Sequence, residues 1–136
     1  MTGASGAHEE GVPATRAARH LLHEKEALAQ AVTGALYRED PALLERHGAR
    51  GQEKCLQDMR YNIEHLIPAV ELGDGLMFAG YVEWLDTLLR ARHVATRDIV
   101  RCLELLGDEA QRRYPPDEAE AIARILRAGL RVLARA

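Results

Sequence analysis

The chain has 136 residues, of which 47% are hydrophobic and 29% are charged, and its formal net charge is −3 at pH 7. These values are typical of one globular domain with a packed core, and a small negative charge argues against a nucleic-acid-binding surface. No signal-peptide pattern and no stretch approaching the ~20 apolar residues that span a bilayer are found, so we expect a cytoplasmic protein that makes no membrane contact.

Taken from the N-terminus, residues 1–13 lack hydrophobic periodicity and predict a flexible tail ahead of one domain at residues 14–136. The apolar residues of this domain are mainly Leu and Ala, which favour helices. A first helix is predicted over residues 14–37. It is expected to end there because the residue before Pro41 is pushed out of the helical conformation. A short helical turn is then predicted over residues 42–46.

The stretch 52–93 is predicted to supply two helices at the centre of the bundle. Apolar residues recur at steps of three and four in its first half, at Leu56, Met59, Ile63, Leu66 and Val70. Its second half is apolar over most of the helix circumference, which predicts contacts on several sides. Pro68 removes one backbone hydrogen bond, so we expect a kink one turn before it.

The remaining boundaries follow from capping residues and prolines. Asp74 is predicted to cap a helix over residues 76–92, and Thr96 is predicted to cap the next, which reaches Arg113. The sequence Tyr-Pro-Pro-Asp then separates a last helix over residues 117–134. The prediction is an all-α bundle of five main helices plus one short helix.

No arrangement of residues predicts a catalytic or metal site. The Glu-x-x-His spacing of di-iron bundles is absent, as are nucleophile–base motifs and phosphate-binding glycine loops. His20, His23 and Glu24 share a helix face and could bind zinc weakly, but a solvated polar stripe is the favoured interpretation because zinc normally needs three or four converging ligands. We therefore expect no enzymatic activity.

A group of aromatic residues and histidines is the best candidate for ligand contact. Rings at three-residue spacing cover one face of the second central helix, and a histidine lies among apolar residues of the first. Packing in the core is the more common role of such residues, and a pocket for a flat apolar ligand is the alternative. The predicted ligand-binding residues are Tyr61, His65, Phe78, Tyr81, Trp84 and His93.

Two of these predictions carry further alternatives. His65 is predicted to be a structural histidine with hydrogen-bond partners or, alternatively, an axial ligand. His93 lies among arginines that could receive a carboxylate or phosphate, whereas stabilisation of a helix C-terminus is the default. Cys55 and Cys102 fall in apolar-periodic segments, which predicts reduced, buried thiols, with a disulfide as the alternative.

The segment 78–109 (FAGYVEWLDTLLRARHVATRDIVRCLELLGDE) resembles globin-like bacterial sensor domains, including the haem-free domains of stressosome regulatory proteins. Both have an aromatic-rich helix, a short Arg-x-x-Val-type corner and an amphipathic helix. The resemblance places the haem-ligating position near Leu88 or Leu89, and neither can bind iron. It therefore implies a globin-like bundle without conventional haem ligation, unless His65 or His93 has taken that role.

Two functions are consistent with these observations. The first is a non-catalytic sensor or regulatory module that acts by association, as a homodimer or with a regulatory partner, and that a ligand could gate. The second is a protein that binds haem, another tetrapyrrole or a different flat apolar ligand near His65 and Trp84.

Overall fold

The computed structural model describes residues 12–135. These residues form six α-helices and contain no strand, which confirms the predicted all-α class. The helices are α1 (Pro13–His23), α2 (Lys25–Glu39), α3 (Ala42–Leu72), α4 (Gly75–Ala91), α5 (Thr96–Arg113) and α6 (Pro116–Ala134). Residues 1–11 of the predicted tail lie outside the described residues, whereas Pro13 already opens α1.

The segment predicted as one helix over residues 14–37 forms two. Helical geometry is interrupted at Glu24, which has φ −107° and ψ 14°. No glycine or proline marks this position, so the local sequence did not predict the break. The side chain of Glu24 accepts hydrogen bonds from Arg113 at 3.2 Å and Tyr114 at 3.3 Å. Contacts with the end of α5 therefore accompany a break that local propensity does not explain.

Helix α3 joins the two segments that were predicted separately as a short turn and a long helix. Gly48 lies inside it with φ 70° and ψ −178°, and this is where the helix is kinked. That backbone region is accessible essentially to glycine alone. The kink expected before Pro68 is not seen in the backbone angles, which stay helical there. Pro68 lies close enough to the C-terminus that losing one hydrogen bond leaves the helix intact.

The centre of the bundle differs from the predicted pair of helices. Helix α3 packs against α1, α2, α4 and α6, as predicted for a central helix, but α4 packs most extensively on α6. A Cβ at Gly129 of α6 would lie 3.0 Å from side-chain atoms of both Phe78 and Val82, so the missing side chain lets α4 and α6 approach closely. The opposite side of α4 faces solvent, and Trp84 is 59% exposed.

The predicted caps of α4 and α5 have different outcomes. The side chain of Asp74 accepts a hydrogen bond from the Met77 amide at 3.1 Å, which confirms it as the N-cap of α4. The prediction for Thr96 was wrong, because Ala95 occupies the N-cap of α5 and no side chain caps that end. The Thr96 hydroxyl donates instead to the buried Asp86 of α4 at 2.7 Å. A tertiary contact has replaced the local one.

Candidate ligand-binding pocket

A pocket of about 310 Å³ lies between α2, α3, the C-terminal end of α4 and the first turns of α5. This volume is at the lower end of the range for small-molecule sites. Its lining combines apolar, charged and thiol side chains: Leu36, Tyr37, Leu43, His47, Arg50, Gly51, Lys54, Cys55, Asp58, Met59, Asn62, Leu85, Leu89, Arg92, Val94, Asp98, Ile99 and Cys102.

The floor of the pocket is apolar because each surrounding helix turns part of its core stripe toward it. Leu36 of α2, Met59 of α3, Leu89 of α4 and Ile99 of α5 are all buried and all line it. These side chains belong to the continuous core of the bundle. A ligand bound here would therefore exchange water for hydrocarbon contacts, each methylene contributing about 0.8 kcal/mol.

Charged side chains form the rim of the pocket, and cations outnumber carboxylates. Arg50, Lys54 and Arg92 face Asp58 and Asp98, and His47 adds a group that can become cationic. Burial raises the pKa of Asp58, while the nearby charges of Arg92 and Lys54 act in the opposite direction. The excess of positive groups beside an apolar floor favours an anionic ligand with a hydrocarbon body.

Two local backbone features shape the rim. Gly48 redirects the start of α3, so that His47 before it and Arg50 after it both reach the lining. At the other end, His93 adopts φ 67°, a left-handed conformation that usually requires glycine. The amides of His93 and Val94 donate to the carbonyls of Arg90 and Leu89 at 3.0 and 2.9 Å, which closes α4 in a Schellman motif.

Asn62 connects the inner wall of the pocket to the outer face of the bundle. Its side-chain oxygen accepts a hydrogen bond from the Tyr81 hydroxyl at 2.5 Å, and its amide donates to the sulfur of Met59 at 3.4 Å. Asn62 and Met59 line the pocket, whereas Tyr81 does not. Burial raises the pKa of Tyr81, so its hydroxyl stays protonated and acts as the donor.

Two thiols complete the lining. Cys55 of α3 is half-buried and Cys102 of α5 is buried, so the predicted burial is seen in full only for Cys102, and both thiols are free. They adjoin closely enough for the Cys102 thiol to lower the pKa of Cys55, the largest influence on that group. The Thr33 hydroxyl, which is buried and otherwise has no hydrogen-bond partner, also lowers it. Hydrogen bonding to Cys55 and burial raise the pKa of Cys102.

The aromatic residues and histidines predicted as a ligand site lie outside this lining. They are Tyr61, His65, Phe78, Tyr81, Trp84 and His93. The ring of Tyr81 stacks on His65 with centroids 4.0 Å apart, and lies 5.9 Å from Phe78 and 6.0 Å from Trp84. The structure therefore brings these four rings together at the seam of α3 and α4. Phe78 is fully buried there, whereas His65 and Trp84 are exposed.

The other two predicted residues have different surroundings. The carbonyl of Tyr61 accepts from Nδ1 of His65 at 3.0 Å, while the Tyr61 side chain is 47% exposed. His93 lies exposed at the corner between α4 and α5. It supports the backbone turn that brings Arg92 and Val94 to the pocket, and its own side chain does not line it.

The pocket residues left a weak signal in the sequence. Cys55, Asp58, Met59 and Asn62 are spaced at three, four and seven residues, so they share one face of α3. This mixed polar and apolar face interrupts the hydrophobic stripe, which could have marked it as a lining. The partners contributed by α2 and α5 could not be identified in this way, because their proximity depends on the packing of the helices.

One member of the histidine pair predicted on α1, His20, contacts a buried carboxylate that also binds Arg16. Nδ1 of His20 lies 2.6 Å from an oxygen of Glu118, which is buried at the start of α6, and Arg16 donates to the same carboxylate at 3.0 Å. His20 also stacks on Tyr114, with centroids 5.1 Å apart. Within residues 12–135, no three His, Cys, Asp or Glu side chains converge as metal ligands would.

No protein-family model matches the sequence, and a search of curated proteins finds no match. Among the described residues, no helix has both the length and the apolar character needed to cross a membrane. The pocket and the outer face beside it are therefore the features of this chain that indicate a function.

Proposed function

We propose that this domain is a non-catalytic regulatory module that binds a small amphipathic anion and acts through protein association. The pocket carries the proposal, because an apolar floor beneath a rim with excess cations suits a hydrocarbon body with one acidic group. Regulation by a ligand requires that binding at the pocket change the properties of a second site on the protein. Asn62 and Tyr81 provide a direct contact between the pocket wall and the exposed rings.

The ligand class can be tested with octanoate, which has an apolar chain and one carboxylate, by isothermal titration calorimetry. We expect saturable binding of one octanoate per chain and an affinity about 10- to 100-fold lower in Arg92→Ala, because a charge-assisted hydrogen bond contributes roughly 1.5–3 kcal/mol. Arg97→Ala is the matched control, since Arg97 is an exposed arginine near the same corner that does not line the pocket. Absence of binding, or equal weakening by both substitutions, would contradict the proposal.

The association surface is the exposed ring face, defined here as Tyr61, His65, Met77, Tyr81 and Trp84. Tyr61, Met77 and Trp84 are large apolar side chains that are 47%, 41% and 59% exposed. Aromatic residues and methionine are enriched in protein interfaces. We propose that a second copy of the chain covers this face.

Sedimentation velocity at tens of micromolar tests the association. The wild-type chain should sediment as a dimer and Trp84→Lys as a monomer, because a buried unpaired charge opposes the interface. Leu22→Lys is the control, since Leu22 is 60% exposed on α1. A wild-type monomer, or dissociation by Leu22→Lys as well, would argue against association through the exposed ring face.

An alternative is that the same face binds haem, another tetrapyrrole or a different flat apolar ligand. The hydrogen bond from Nδ1 of His65 to the Tyr61 carbonyl favours this alternative, because metal-binding histidines are commonly oriented in this way. Added haem should then give a Soret band that His65→Ala abolishes and His93→Ala leaves unchanged. Octanoate binding at the pocket would be unaffected, so the two proposals can be separated.

A further inference from the structure

The thiols of Cys55 and Cys102 meet at the lining of the pocket from two different helices. Cys55 lies on α3 and is half-buried, whereas Cys102 lies on α5 and is buried. The two residues are 47 positions apart in the sequence, so only the packing of α3 and α5 makes them neighbours. Both residues line the pocket, and Cys55 is the more accessible of the two.

The surroundings of Cys55 stabilise its thiolate. The Cys102 thiol and the Thr33 hydroxyl lower the pKa of Cys55, whereas burial and the charges of Asp58 and Asp98 raise it, and the net direction is downward. Thr33 is 4% exposed and its hydroxyl makes no hydrogen bond of good geometry with another group. A hydroxyl in this position gains a partner when Cys55 is ionised. The thiolate is the nucleophilic form of cysteine.

We propose that the pocket is a reaction site for organic hydroperoxides, in which Cys55 is oxidised first and Cys102 then forms a disulfide with it. This inference does not depend on the proposed anionic ligand, because it requires only that a peroxide can enter. The apolar floor favours a hydroperoxide that carries a hydrocarbon group over hydrogen peroxide.

The reaction has two steps that balance. The thiolate sulfur of Cys55 attacks the terminal peroxide oxygen, the O–O bond breaks, and the alkoxide leaves as an alcohol after taking a proton from solvent, which gives a sulfenic acid. The sulfur of Cys102 then attacks the Cys55 sulfur, an S–S bond forms, and the sulfenic hydroxyl leaves as water with the thiol proton of Cys102. The peroxide is reduced by two electrons, which the two thiols supply. A dithiol reductant returns the pair to its starting state.

A disulfide at this position would also join α3 to α5 across the pocket. Both cysteines belong to the lining, so the cross-link would fix the distance between two of its walls. Oxidation would thereby alter the space that the proposed ligand occupies. This consequence follows from the placement of the thiols and would not arise if they lay on one helix.

The test treats the full chain with cumene hydroperoxide and follows it by intact-mass spectrometry and peptide mapping. Wild-type protein should lose two hydrogen atoms and yield a linked Cys55–Cys102 peptide, and dithiothreitol should reverse the change. Cys102→Ser should stop at a sulfenic acid on Cys55 that dimedone traps. Cys55→Ser should not react, because the thiol left in it is buried and its pKa is raised. The wild-type protein should be oxidised several-fold more slowly by hydrogen peroxide than by cumene hydroperoxide. Oxidation by cumene hydroperoxide should also be several-fold slower when the protein is unfolded in urea than when it is folded.

Other outcomes would overturn the inference. These are persistence of both thiols in the folded protein, oxidation of Cys102 in the Cys55→Ser variant, or disulfides only between two chains. Circular dichroism of each variant confirms that it is folded before treatment, and Cys55→Ala replaces Cys55→Ser if the latter unfolds. Octanoate binding is measured separately on reduced protein. The oxidation experiment can therefore be interpreted even if octanoate does not bind.

Discussion

At the scale of single residues, Asp58 is a pocket residue whose negative charge is unfavourable for the stability of the fold. Its carboxylate lines the pocket and burial raises its pKa, so the folded chain holds the charged form less well than the unfolded chain does. Protonation of Asp58 stabilises the folded chain. This effect is complete below the pKa that Asp58 has in the unfolded chain and is lost as the pH rises through its pKa in the folded chain. At neutral pH the charge of Asp58 therefore opposes folding.

Asp58→Asn should consequently be more stable than the wild-type chain at neutral pH. The difference in free energy of unfolding should shrink as the pH falls through the raised folded pKa and should level off below about pH 4, the ordinary range of an aspartate. Urea denaturation at a series of pH values measures it. A difference that stays constant across this range would show that the charge of Asp58 is not its cause.

The candidate site was only partly predictable at this scale. The packing of Phe78 and Trp84 against Tyr81 follows from a spacing of three residues on either side, which a helix brings together without knowledge of the fold. Cys55 and Cys102 were each predicted as reduced, buried thiols, but nothing in their separate segments indicated that they are neighbours. The left-handed conformation of His93 could not be predicted either, because glycine is the residue that usually signals this conformation and a histidine occupies the position.

At the scale of helices, the corner between α4 and α5 is held by a contact to a buried carboxylate in addition to its Schellman motif. Thr96 donates to Asp86 at 2.7 Å, and Arg90 lies 3.3 Å from the other carboxylate oxygen. Arg92, Val94 and Asp98 reach the pocket from this corner or just after it. The contact therefore positions a large part of the pocket rim.

Thr96→Val should destabilise the protein by about 1–3 kcal/mol, because Asp86 would stay buried with one donor fewer. It should also weaken octanoate binding if the corner positions Arg92 as proposed. Thr87→Val is the matched control, since the Thr87 hydroxyl is exposed and donates only to the Glu83 carbonyl of its own helix at 3.2 Å. Thermal and urea unfolding measure both variants, and equal losses would remove the special role of the buried contact.

The extent of each helix was predicted best where a capping residue or a proline limits it. Asp74 marked the start of α4, and the two prolines after Tyr114 marked the end of α5 and the start of α6, each within about one residue. The break at Glu24 was missed because no residue near it in the sequence marks it, and the contacts that accompany it come from Arg113 and Tyr114 at the distant end of α5. Local signals predict local boundaries, whereas a break accompanied by tertiary contacts needs the fold.

At the scale of the whole molecule, the bundle depends on close packing of α4 against α6. Gly129 permits this approach, since a Cβ there would lie 3.0 Å from atoms of both Phe78 and Val82, which are fully buried. Helix propensity alone would favour alanine over glycine by about 1 kcal/mol. Glycine at this position therefore trades helix propensity for contact between helices.

Gly129→Ala should destabilise the protein by roughly 1–3 kcal/mol, since the buried neighbours must move to admit a methyl group. Gly80→Ala provides a matched control, because Gly80 is exposed on α4 and a Cβ there would have no neighbour within 4 Å. That control should be stabilised by about 0.5–1 kcal/mol. Opposite signs for the same substitution, measured by urea denaturation, are the expected result, and stabilisation by both would contradict close packing at Gly129.

The contact between Asn62 and Tyr81 has a practical consequence. Trp84 is the chain's single tryptophan, and its ring lies 6.0 Å from that of Tyr81, whose hydroxyl is bonded to the pocket wall. A guest that displaces Asn62 should shift this neighbouring tyrosine and thereby alter the intrinsic fluorescence of the indole. The fluorescence of Trp84 should therefore report whether the pocket is occupied, and ligands can be screened against the unlabelled chain.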